Sequence, residues 1–391
     1  MSRIDDLIAE YCPNGVERKP LGAIAKLYRG NGLQKKDFTD KGIGCIHYGQ
    51  IYTRYDTFTS QTISFVDKKL ADKLLKVHPN DLIVTATSEN LEDVCKAVAW
   101  LGGSDIVTGG HSIVVRHHQN AKYLSYYFQT LDFFQRKRAY VHGTKVMEIK
   151  KDDLAKIVVP VPPLPVQEEI VRILDSFSSL EAELEAELEA ELEARRKQYA
   201  YYRNELLTFD RERVQWLKLG EAAFINKGTY ITKKQVIPGN IPVILGGVEP
   251  AYWHSESNHD SEGIVISRSG ANAGFASYWN EPIFVSDGFV LDAKPGIDMR
   301  FLFHVLKKQQ AKLYSMKRGS GVPHINSKML ANNVAIPVPP LEEQQHVVSI
   351  LDRFDKLTND LSSGLPAEIE ARRKQYEYYR DRLLSFDALA V

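Results

Sequence analysis

The residues in this chain that could do chemistry lie in short loops that combine glycine with hydroxyl and cationic side chains. Two such loops, Tyr140–Lys145 and Lys317–His324, each precede a proline-rich segment. Glycine lets the backbone approach a ligand closely, and hydroxyl and basic side chains bind phosphates or base edges. We therefore predict DNA contacts at Gly143, Thr144, Lys145, Arg318, Ser320 and His324. The alternative for each residue is an ordinary surface turn.

A second group of polar side chains follows an apolar run in each half of the chain. The runs are Asp81–Val84 and Gly263–Ile266, and their composition predicts strands. The segments Tyr28–Gly30 and Asn226–Gly228 are weaker candidates of the same kind. The further predicted DNA contacts are Arg29, Thr85, Thr87, Ser88, Lys227, Arg268, Ser269 and Asn272.

Motifs for catalysis are not found in the sequence. An adenine methyltransferase needs a glycine-rich S-adenosylmethionine loop and an Asn/Asp-Pro-Pro-Tyr/Phe motif, and neither occurs. The phosphate-binding loop of an ATPase is also missing. Asp287 with Asp292–Lys294 matches a nuclease metal site only by three common residue types. The histidines and cysteines that lack zinc-ligand spacing are Cys45, His47, Cys95, His117 and His118. We predict a protein without catalytic activity, cofactor or metal.

The segments that must position these loops occur as two copies of a repeat in the sequence. Residues 160–210 align without a gap on residues 337–387, from Pro160 on Pro337 to Asp210 on Asp387. A repeat of this length indicates two copies of one structural unit and a pseudo-two-fold molecule. Double-stranded DNA has local dyads in its backbone, while its base sequence need not be symmetric. Two related modules with a shared frame and different loops would suit such a target.

Each repeat predicts a strand, a proline stop and a long helix. Val158–Val161 is β-branched, Pro162-Pro163 cannot continue a central strand, and Pro165 suits a first helical turn. Apolar residues at spacings of three and four then continue for roughly 40 residues, or ~60 Å at 1.5 Å per residue. We expect the second copy to be the antiparallel partner of this helix. Gly364 and Pro366 predict a break or kink in that copy.

Leu-Glu-Ala-Glu tetrads run from Leu180 to Leu192 in the first copy and are absent from the aligned part of the second. Glutamates four residues apart repel each other weakly, and the strong helix formers around them offset this repulsion. Leucines four residues apart drift around the helix and make a poor coiled-coil seam. The tetrads therefore predict a spacer whose length matters more than its side chains.

The blocks before each repeat predict compact α+β domains, because short β-branched runs alternate with glycine turns and helical segments. Lys19–Gly22 and Ile43–Gly49 resemble Leu217–Gly220 and Ile241–Gly247. We predict an α+β fold with two globular domains separated by two long helices packed as an antiparallel coiled coil. The predicted regions are a first domain at residues 1–155, a helical region at 156–210, a second domain at 211–332 and a helical region at 333–391.

Composition narrows the possible classes of protein. The chain has 50 basic and 50 acidic residues and a net charge of +0, so phosphate binding would depend on clusters such as Arg136–Arg138 and Lys317-Arg318. The N-terminus lacks a signal-peptide pattern, and no apolar run approaches the ~18–20 residues that span a bilayer. The three cysteines are scattered, which suits a reducing compartment. We expect a cytoplasmic protein.

The whole chain resembles the specificity subunit of type I restriction–modification enzymes. The likeness is carried by the Pro-x-Pro-Pro-Leu-x-Glu-Gln block, the Ile/Leu-patterned helix after it, and two copies of ARRKQYxYYRxxLLxF. A divergent globular region precedes each copy, and the tetrapeptide repeat between the halves is also a family feature. The first proline block departs from the pattern, because it reads PPLPVQEE with Pro165 added.

The resemblance implies a non-catalytic DNA-recognition protein. The blocks around residues 20–155 and 215–332 would be target recognition domains, each reading one half of a bipartite, asymmetric DNA sequence. The chain would hold two methyltransferase (modification) subunits that methylate adenine at N6, and through them the motor-nuclease (restriction) subunits. The alternatives are a single-chain catalytic restriction/methylation enzyme and a coiled-coil scaffold without DNA specificity. Missing motifs argue against the first alternative, and the size of the two globular blocks argues against the second.

Aromatic and basic side chains recur in nearly the same sequence in both helical regions, although the neighbouring domains differ. Tyrosine and arginine are enriched at interface anchors, and two copies of one partner would require two copies of one surface. We therefore predict methyltransferase docking at Tyr199, Tyr202, Arg203, Tyr376, Tyr379 and Arg380. The alternative is that these side chains pack within the chain.

Overall fold

The computed structural model describes residues 3–247, 249–319, 321–359 and 363–387 of the chain. The chain divides into two compact units. The first unit comprises Met1–Ala186 and Glu370–Val391, and the second comprises Glu187–Ile369. Each unit therefore combines one globular domain with parts of both helical regions. No helix in the described ranges is long and apolar enough to cross a membrane.

The first globular domain mixes short helices with many short strands. Its helices are α1 (Arg3–Tyr11), α2 (Leu21–Ile24), α3 (Tyr48–Ile51), α4 (Lys68–Ala71), α5 (Ala121–Tyr127), α6 (Leu131–Lys137) and α7 (Lys151–Leu154). Its strands are β1 (Arg18–Pro20), β2 (Ala25–Arg29), β3 (Ile43–Ile46), β4 (Phe58–Thr59), β5 (Ser64–Val66), β6 (Leu75–Val77), β7 (Leu82–Thr85), β8 (Thr87–Ser88), β9 (Ala97–Trp100), β10 (Ile106–Thr108), β11 (Ser112–His117), β12 (Met147–Glu148) and β13 (Val158–Pro160).

The core of this domain lies on both faces of a five-stranded sheet of order β2-β11-β7-β9-β4. Strands β7 and β9 are buried along their whole length, which explains why their sequences are continuously apolar. Leu82 and Val84 face the aromatic helix α5, whereas Ile83 faces a second, four-stranded sheet of order β5-β3-β10-β6. Alternate side chains of one strand therefore pack in two different layers.

The second globular domain repeats this plan. Its helices are α9 (Leu219–Ala222), α10 (Met299–Lys308), α11 (Gln310–Ser315) and α12 (Ser327–Asn333) after the long helix α8 (Leu164–Leu206). Its strands are β14 (Gln215–Lys218), β15 (Ala223–Lys227), β16 (Ile241–Ile244), β17 (Tyr252–His254), β18 (Gly263–Ser267), β19 (Ala276–Trp279), β20 (Phe284–Val285), β21 (Gly288–Ala293) and β22 (Ala335–Val338). The main sheet has the order β15-β21-β18-β19, and the second sheet has the order β17-β16-β20. The predicted α+β class is confirmed.

The helical regions differ between the two copies, as the proline and glycine pattern predicts. Helix α8 is continuous for 43 residues, with Pro165 in its first turn, and the boundary between the units falls inside it after Ala186. The second copy forms two helices, α13 (Leu341–Asn359) and α14 (Leu365–Leu383). Pro366 lies in the first turn of α14, where its missing N–H is tolerated.

Each unit contains an antiparallel helix pair. In the first unit the ring of Phe177 lies 6.2 Å from that of Tyr379, and the Ser178 hydroxyl lies 2.7 Å from the Tyr376 hydroxyl. In the second unit the ring of Phe354 lies 5.4 Å from that of Tyr202. The repeat aligns Phe177 with Phe354, so the same apolar contact occurs in both units.

A buried glutamine at one repeat position fixes each domain to its helix. Gln167 donates to the Pro162 carbonyl at 2.7 Å and accepts the amide of Asn120, which caps α5, at 3.0 Å. Gln344 donates to the Pro339 carbonyl at 2.8 Å and accepts the amide of the α10 cap residue at 2.8 Å. The glutamine of the proline block is therefore a structural residue, and sequence reasoning did not identify that role.

Candidate nucleic-acid interface

The predicted loops of the first unit meet at one end of the main sheet. Strand β2 ends there at Arg29, β11 begins there beside His111, and β8 pairs with β12 in the register Thr87 opposite Glu148. These segments are far apart in sequence and are brought together by the sheet order. A binding surface built in this way combines side chains from four segments on a rigid frame.

A glycine-tipped hairpin extends from this end of the sheet. His142 and Glu148 exchange two backbone hydrogen bonds, at 2.9 and 2.8 Å. Gly143 has a φ of +123°, and a Cβ there would lie 1.9 Å from the Val146 carbonyl oxygen, so only glycine fits. Thr144, Lys145 and Val146 are exposed at the tip. The hairpin therefore presents its predicted contact residues to solvent.

Arg29 anchors the foot of this hairpin. Its Nε donates to the Gly110 carbonyl at 2.7 Å, its Nη1 to the Ile149 carbonyl at 3.3 Å, and its Nη2 to Glu148 at 3.0 Å. The guanidinium group thus joins the end of β2 to the segment just before β11 and to the hairpin. Because 29% of the side chain stays exposed, Arg29 can both position the loop and face a ligand.

The hydroxyl residues at the end of β7 and just beyond it are all buried, at 0% exposure for Thr85 and 6% each for Thr87 and Ser88, but their hydrogen bonds differ. Thr85 is completely buried, and its hydroxyl donates to the Asp93 carbonyl at 2.7 Å. A contact between Thr85 and DNA would break this internal hydrogen bond, so Thr85 is a structural residue of the core. Thr87 lies 2.8 Å, Oγ1 to Nδ1, from the exposed His111, which the sequence prediction missed. Ser88 is largely buried beside it.

The second unit builds the same surface with other side chains. Arg268 donates through Nε to Asp287 at 2.6 Å, and the Ser269 hydroxyl donates to the other oxygen of the same carboxylate. Asn272 is half-buried in the turn after β18, and Lys227 ends the edge strand β15. Both oxygens of the Asp287 carboxylate therefore accept hydrogen bonds from neighbouring side chains. The described residues contain no His/Cys/Asp/Glu group that could hold a metal ion.

A second glycine-tipped hairpin stands at this site. Arg318 and His324 exchange backbone hydrogen bonds at 3.0 and 2.9 Å, and Gly319 has a φ of +103°. Arg318, Gly319 and His324 are exposed, whereas Ser320 lies outside the described residues. The hairpin has the same span as the first, and Gly319 and Val322 occupy the positions of Gly143 and Val146, whereas most of the other residues differ.

Backbone hydrogen bonds show which residues of the two sites are equivalent. The amide before Thr87 donates to the His111 carbonyl at 2.8 Å, and the amide before Ser269 donates to the Asp287 carbonyl at 3.1 Å. Glu148 lies opposite Thr87, as His324 lies opposite Ser269. Thr87 thus corresponds to Ser269, His111 to Asp287 and Glu148 to His324.

Some of the positive charge in the sequence is used inside the protein. Lys137, within the cluster at residues 136–138, is buried and donates through Nζ to the Val94 carbonyl at 2.6 Å. Burial lowers its pKa. Arg136 donates to Asp132 at 2.9 Å. This cluster therefore stabilises the first domain, and the exposed cations of the hairpins are better placed to meet phosphates.

The tyrosines and arginines predicted for partner docking fall into two groups. Tyr199 is buried between Phe354 and His304, and burial raises its pKa. Tyr376 donates or accepts at Ser178, and Arg380 is buried and paired with Asp381. The carbon Cζ of Arg203 lies 5.0 Å from the centre of the Tyr199 ring. Packing within the unit accounts for this first group.

The second group is exposed. Tyr202 and Tyr379 are 38% and 41% exposed, and their neighbours Tyr201 and Tyr378 are 61% and 60% exposed. Within each pair the rings meet edge to face with centroids 5.5 Å apart. The sequence prediction missed Tyr201 and Tyr378, which face solvent more fully than the tyrosines it chose. Both pairs occupy the same repeat position, so each unit presents one exposed tyrosine pair.

Comparison with known proteins places the chain in a family of DNA-specificity proteins. The family model described as "Type I restriction modification DNA specificity domain" matches residues 13–194 and 212–371. The chain therefore belongs to this family. The resemblance stated from the sequence is confirmed.

Several curated proteins are similar to the chain. One is the type I restriction enzyme EcoR124I/EcoR124II specificity subunit of Escherichia coli, 35% identical over 59% of this chain and 63% of that protein. The chain thus spans a little under two thirds of that relative's length. Another is a putative type I specificity subunit of Haemophilus influenzae, 33% identical over 78% of this chain and 82% of that protein.

Solved structures share the fold at low identity. The HsdS subunit from Thermoanaerobacter tengcongensis is 17% identical, with a TM-score of 0.54 over 95% of this chain and 96% of that chain. A chain from a structure of a type I restriction–modification system has a TM-score of 0.64 at 18% identity, over 95% and 98% of the two chains. These likenesses support the α+β fold with a long helix between two domains.

Proposed function

We propose that this chain is the non-catalytic DNA sequence-recognition subunit of a type I restriction–modification complex. The observation that carries the proposal is the pair of equivalent sheet-end sites, which share backbone hydrogen bonds and glycine-tipped hairpins but differ in their side chains. The two units share a backbone arrangement but present different side chains, which suits two modules that read different half-sites. Family membership supports the same role.

The two domains, at residues 1–155 and 211–332, each read one half of a bipartite, asymmetric target. Replacing residues 20–155 by the corresponding domain of a relative should change one half-site and leave the other intact. The measurement is the methylated motif in cells that express the hybrid chain with its methyltransferase subunits, mapped by sequencing. A change in both half-sites at once would contradict the modular proposal.

The hairpins and sheet ends carry the DNA contacts. Thr144 and Lys145 in the first unit and Arg318 in the second are exposed on hairpin tips or feet, where phosphates and base edges can reach them. Arg318→Ala should weaken DNA binding. A phosphate contact would weaken all sequences alike and reduce the salt slope by about 1, whereas a base contact would cost ~1–3 kcal/mol and relax one position. Lys312→Ala, an exposed cation on α11 of the same domain, is the matched control.

The chain holds two methyltransferase subunits, one on each unit, and the motor-nuclease subunits through them. The exposed pairs Tyr201–Tyr202 and Tyr378–Tyr379 support this, because nearly identical surfaces on the two units suit two copies of one partner. Tyr201→Ala should remove one methyltransferase subunit and Tyr201→Ala with Tyr378→Ala should remove both, as read by native mass spectrometry. Tyr230→Ala, a 73% exposed tyrosine elsewhere, should leave both bound.

The chain has no methylation or cleavage activity of its own. The missing S-adenosylmethionine and ATP-binding motifs support this, as does the hydrogen-bonded state of Asp287. The purified chain should transfer no methyl group from radiolabelled S-adenosylmethionine to DNA and should leave plasmid DNA intact with Mg²⁺ and ATP. Robust transfer by the isolated chain would favour the single-chain enzyme, and DNA binding without sequence preference would favour the scaffold.

A further inference from the structure

Each sheet-end site holds one hydroxyl, one imidazole and one carboxylate at three equivalent backbone positions. The positions are occupied by Thr87, His111 and Glu148 in the first unit and by Ser269, Asp287 and His324 in the second. The hydroxyl keeps its place in both units. The imidazole and the carboxylate exchange places between the strand start and the foot of the hairpin.

In the second unit the carboxylate fixes the direction of hydrogen bonding. Asp287 accepts the Ser269 hydroxyl proton on one oxygen and the Arg268 Nε–H at 2.6 Å on the other. An ionised carboxylate can only accept, so the serine proton is used and the lone pairs of both groups remain. The strand start of this unit therefore offers acceptor lone pairs on Asp287 and Ser269, beside the Arg268 guanidinium, a donor whose side chain is 38% exposed. In the major groove these acceptors match the exocyclic amino group of adenine or cytosine.

In the first unit the same position has a different hydrogen-bonding character. His111 is exposed and lies 2.8 Å from the Thr87 hydroxyl through Nδ1, which leaves Nε2 for a ligand. An imidazole nitrogen can donate or accept, whereas a carboxylate oxygen accepts. The acceptor of this unit is instead Glu148 at the hairpin, held by Arg29 at 3.0 Å with 51% of its side chain exposed.

We propose that these three positions form the base-reading triad of each unit, and that the exchange of imidazole and carboxylate makes the two units read different bases. The proposal rests on the DNA-recognition function proposed above. The carboxylate of each triad receives an exocyclic amino group, N6 of adenine or N4 of cytosine. Because the carboxylate lies at the strand start in one unit and at the hairpin in the other, the amino-bearing base occupies a different place in each half-site.

Asp287→Asn tests the second triad, because it replaces one carboxylate oxygen by an NH₂ group and leaves the shape of the side chain almost unchanged. The variant is co-expressed with the methyltransferase subunits, and methylated sites are mapped by sequencing. Discrimination at one base pair of one half-site should fall roughly 5- to 150-fold, the range for a single base contact. The other half-site should be unchanged, which also shows that the chain folds and assembles. Ser269→Ala, which removes only the hydroxyl, should relax the same base pair.

The matched control is Asp292→Asn. Asp292 lies on β21, the strand that begins directly after Asp287, accepts from Asn226 at 3.3 Å, and stands about 17 Å further along at ~3.3 Å per residue. It should keep the parent motif. In the first unit, His111→Asn should relax one base pair of the other half-site, and His118→Asn, an exposed histidine just beyond the far end of the strand, should not.

Two results would overturn the inference while leaving the proposed function in place. One is an unchanged motif with unchanged occupancy in both Asp287→Asn and His111→Asn. The other is an equal loss of discrimination at every position of the half-site, which a purely structural role would produce. A parent chain that directs no methylation and binds no DNA would instead overturn the proposed function itself.

Discussion

Replacing Gln344 by alanine should destabilise the second unit, because one buried amide joins the globular domain to the helix after it. Gln344 is completely buried. Its Nε2 donates to the carbonyls of Pro339 and Gly296 at 2.8 and 3.0 Å, and its Oε1 accepts the Asp298 amide at 2.8 Å. Asp298 in turn caps α10, whose apolar face forms much of the core.

The expected loss follows from the groups left without partners. An unsatisfied buried polar group costs ~1–3 kcal/mol, and carbonyls tolerate the loss better than an amide N–H does. We therefore expect Gln344→Ala to lower the free energy of unfolding by about 2–4 kcal/mol. Gln345→Ala is the matched control, since Gln345 is exposed on the next position of the same helix and should change stability by no more than ~0.5 kcal/mol.

Urea denaturation followed by tryptophan fluorescence reports mainly on this unit. Trp216, Trp253 and Trp279 belong to it, and Trp100 belongs to the first unit. With a slope of ~2 kcal/mol per molar urea, the expected loss lowers the midpoint by roughly 1–2 M. Gln344→Ala and Gln345→Ala midpoints that agree within error would refute the reasoning, because the buried hydrogen bonds would then contribute nothing net.

Three further outcomes are expected. Gly143→Ala should lower both the thermal stability of the first unit and its DNA affinity, because a Cβ would meet the Val146 carbonyl; Gly103→Ala, whose Cβ would meet nothing within 4 Å, should change neither. Burial acts to raise the pKa of Asp132, but hydrogen bonds from Arg136, Tyr127 and Arg18 lower it from 3.8 to about 2. The stability that this carboxylate gives is therefore complete above its ordinary pKa and is lost as the pH falls toward 2, so the deficit of Asp132→Asn in acid titrations should shrink over that window. Deleting the tetrad Glu185–Leu188 shortens a helix by about 6 Å, so the methylated half-sites should lie closer by one or two base pairs at ~3.4 Å each; an unchanged gap would reduce the tetrads to a solvated linker.

The sequence was most informative where structure depends on local pattern. The apolar stripe and Pro165 predicted the start and the length of α8, and Gly364 and Pro366 predicted that the second copy would not match it. The strands Leu82–Thr85 and Gly263–Ser267 also follow from β-branched runs bounded by turn residues. In these segments the intrinsic conformational preference of each residue agrees with the secondary structure that the fold imposes on it.

The sequence was less informative where a residue's role depends on a distant partner. Thr85 and Thr87 are both threonines, two positions apart, yet Thr85 bonds within the core and Thr87 bonds to His111, whose position is set by sheet pairing. The same limit applies to the tyrosines, because Tyr199 and Tyr201 differ only in which one faces α13. The one signal in the sequence for this pair is its position, because His111 and Asp287 each directly precede the matching apolar strands β11 and β21.

The residues that hold each domain to its helix are not the residues that differ between the two proposed contact surfaces. Gln167 and Gln344 are identical and hold the domains to their helices, whereas His111 and Asp287 differ at equivalent positions. Substitutions at sites that share no partners have independent effects on the free energy of the protein. Changes at the sheet ends can therefore alter recognition while the buried hydrogen bonds of the two glutamines are retained. Arg29 contributes both to the frame and to the contact surface. Its guanidinium makes three hydrogen bonds that hold the hairpin at the edge of the proposed surface. Lys227 lies opposite Phe289 as Arg29 lies opposite Ile113, two residues after Asp287 and His111 respectively, so the two cations are equivalent. Lysine cannot form such a fork, and the second hairpin is held by other contacts, of which the bond from Lys317 to the Ala271 carbonyl at 2.6 Å is one.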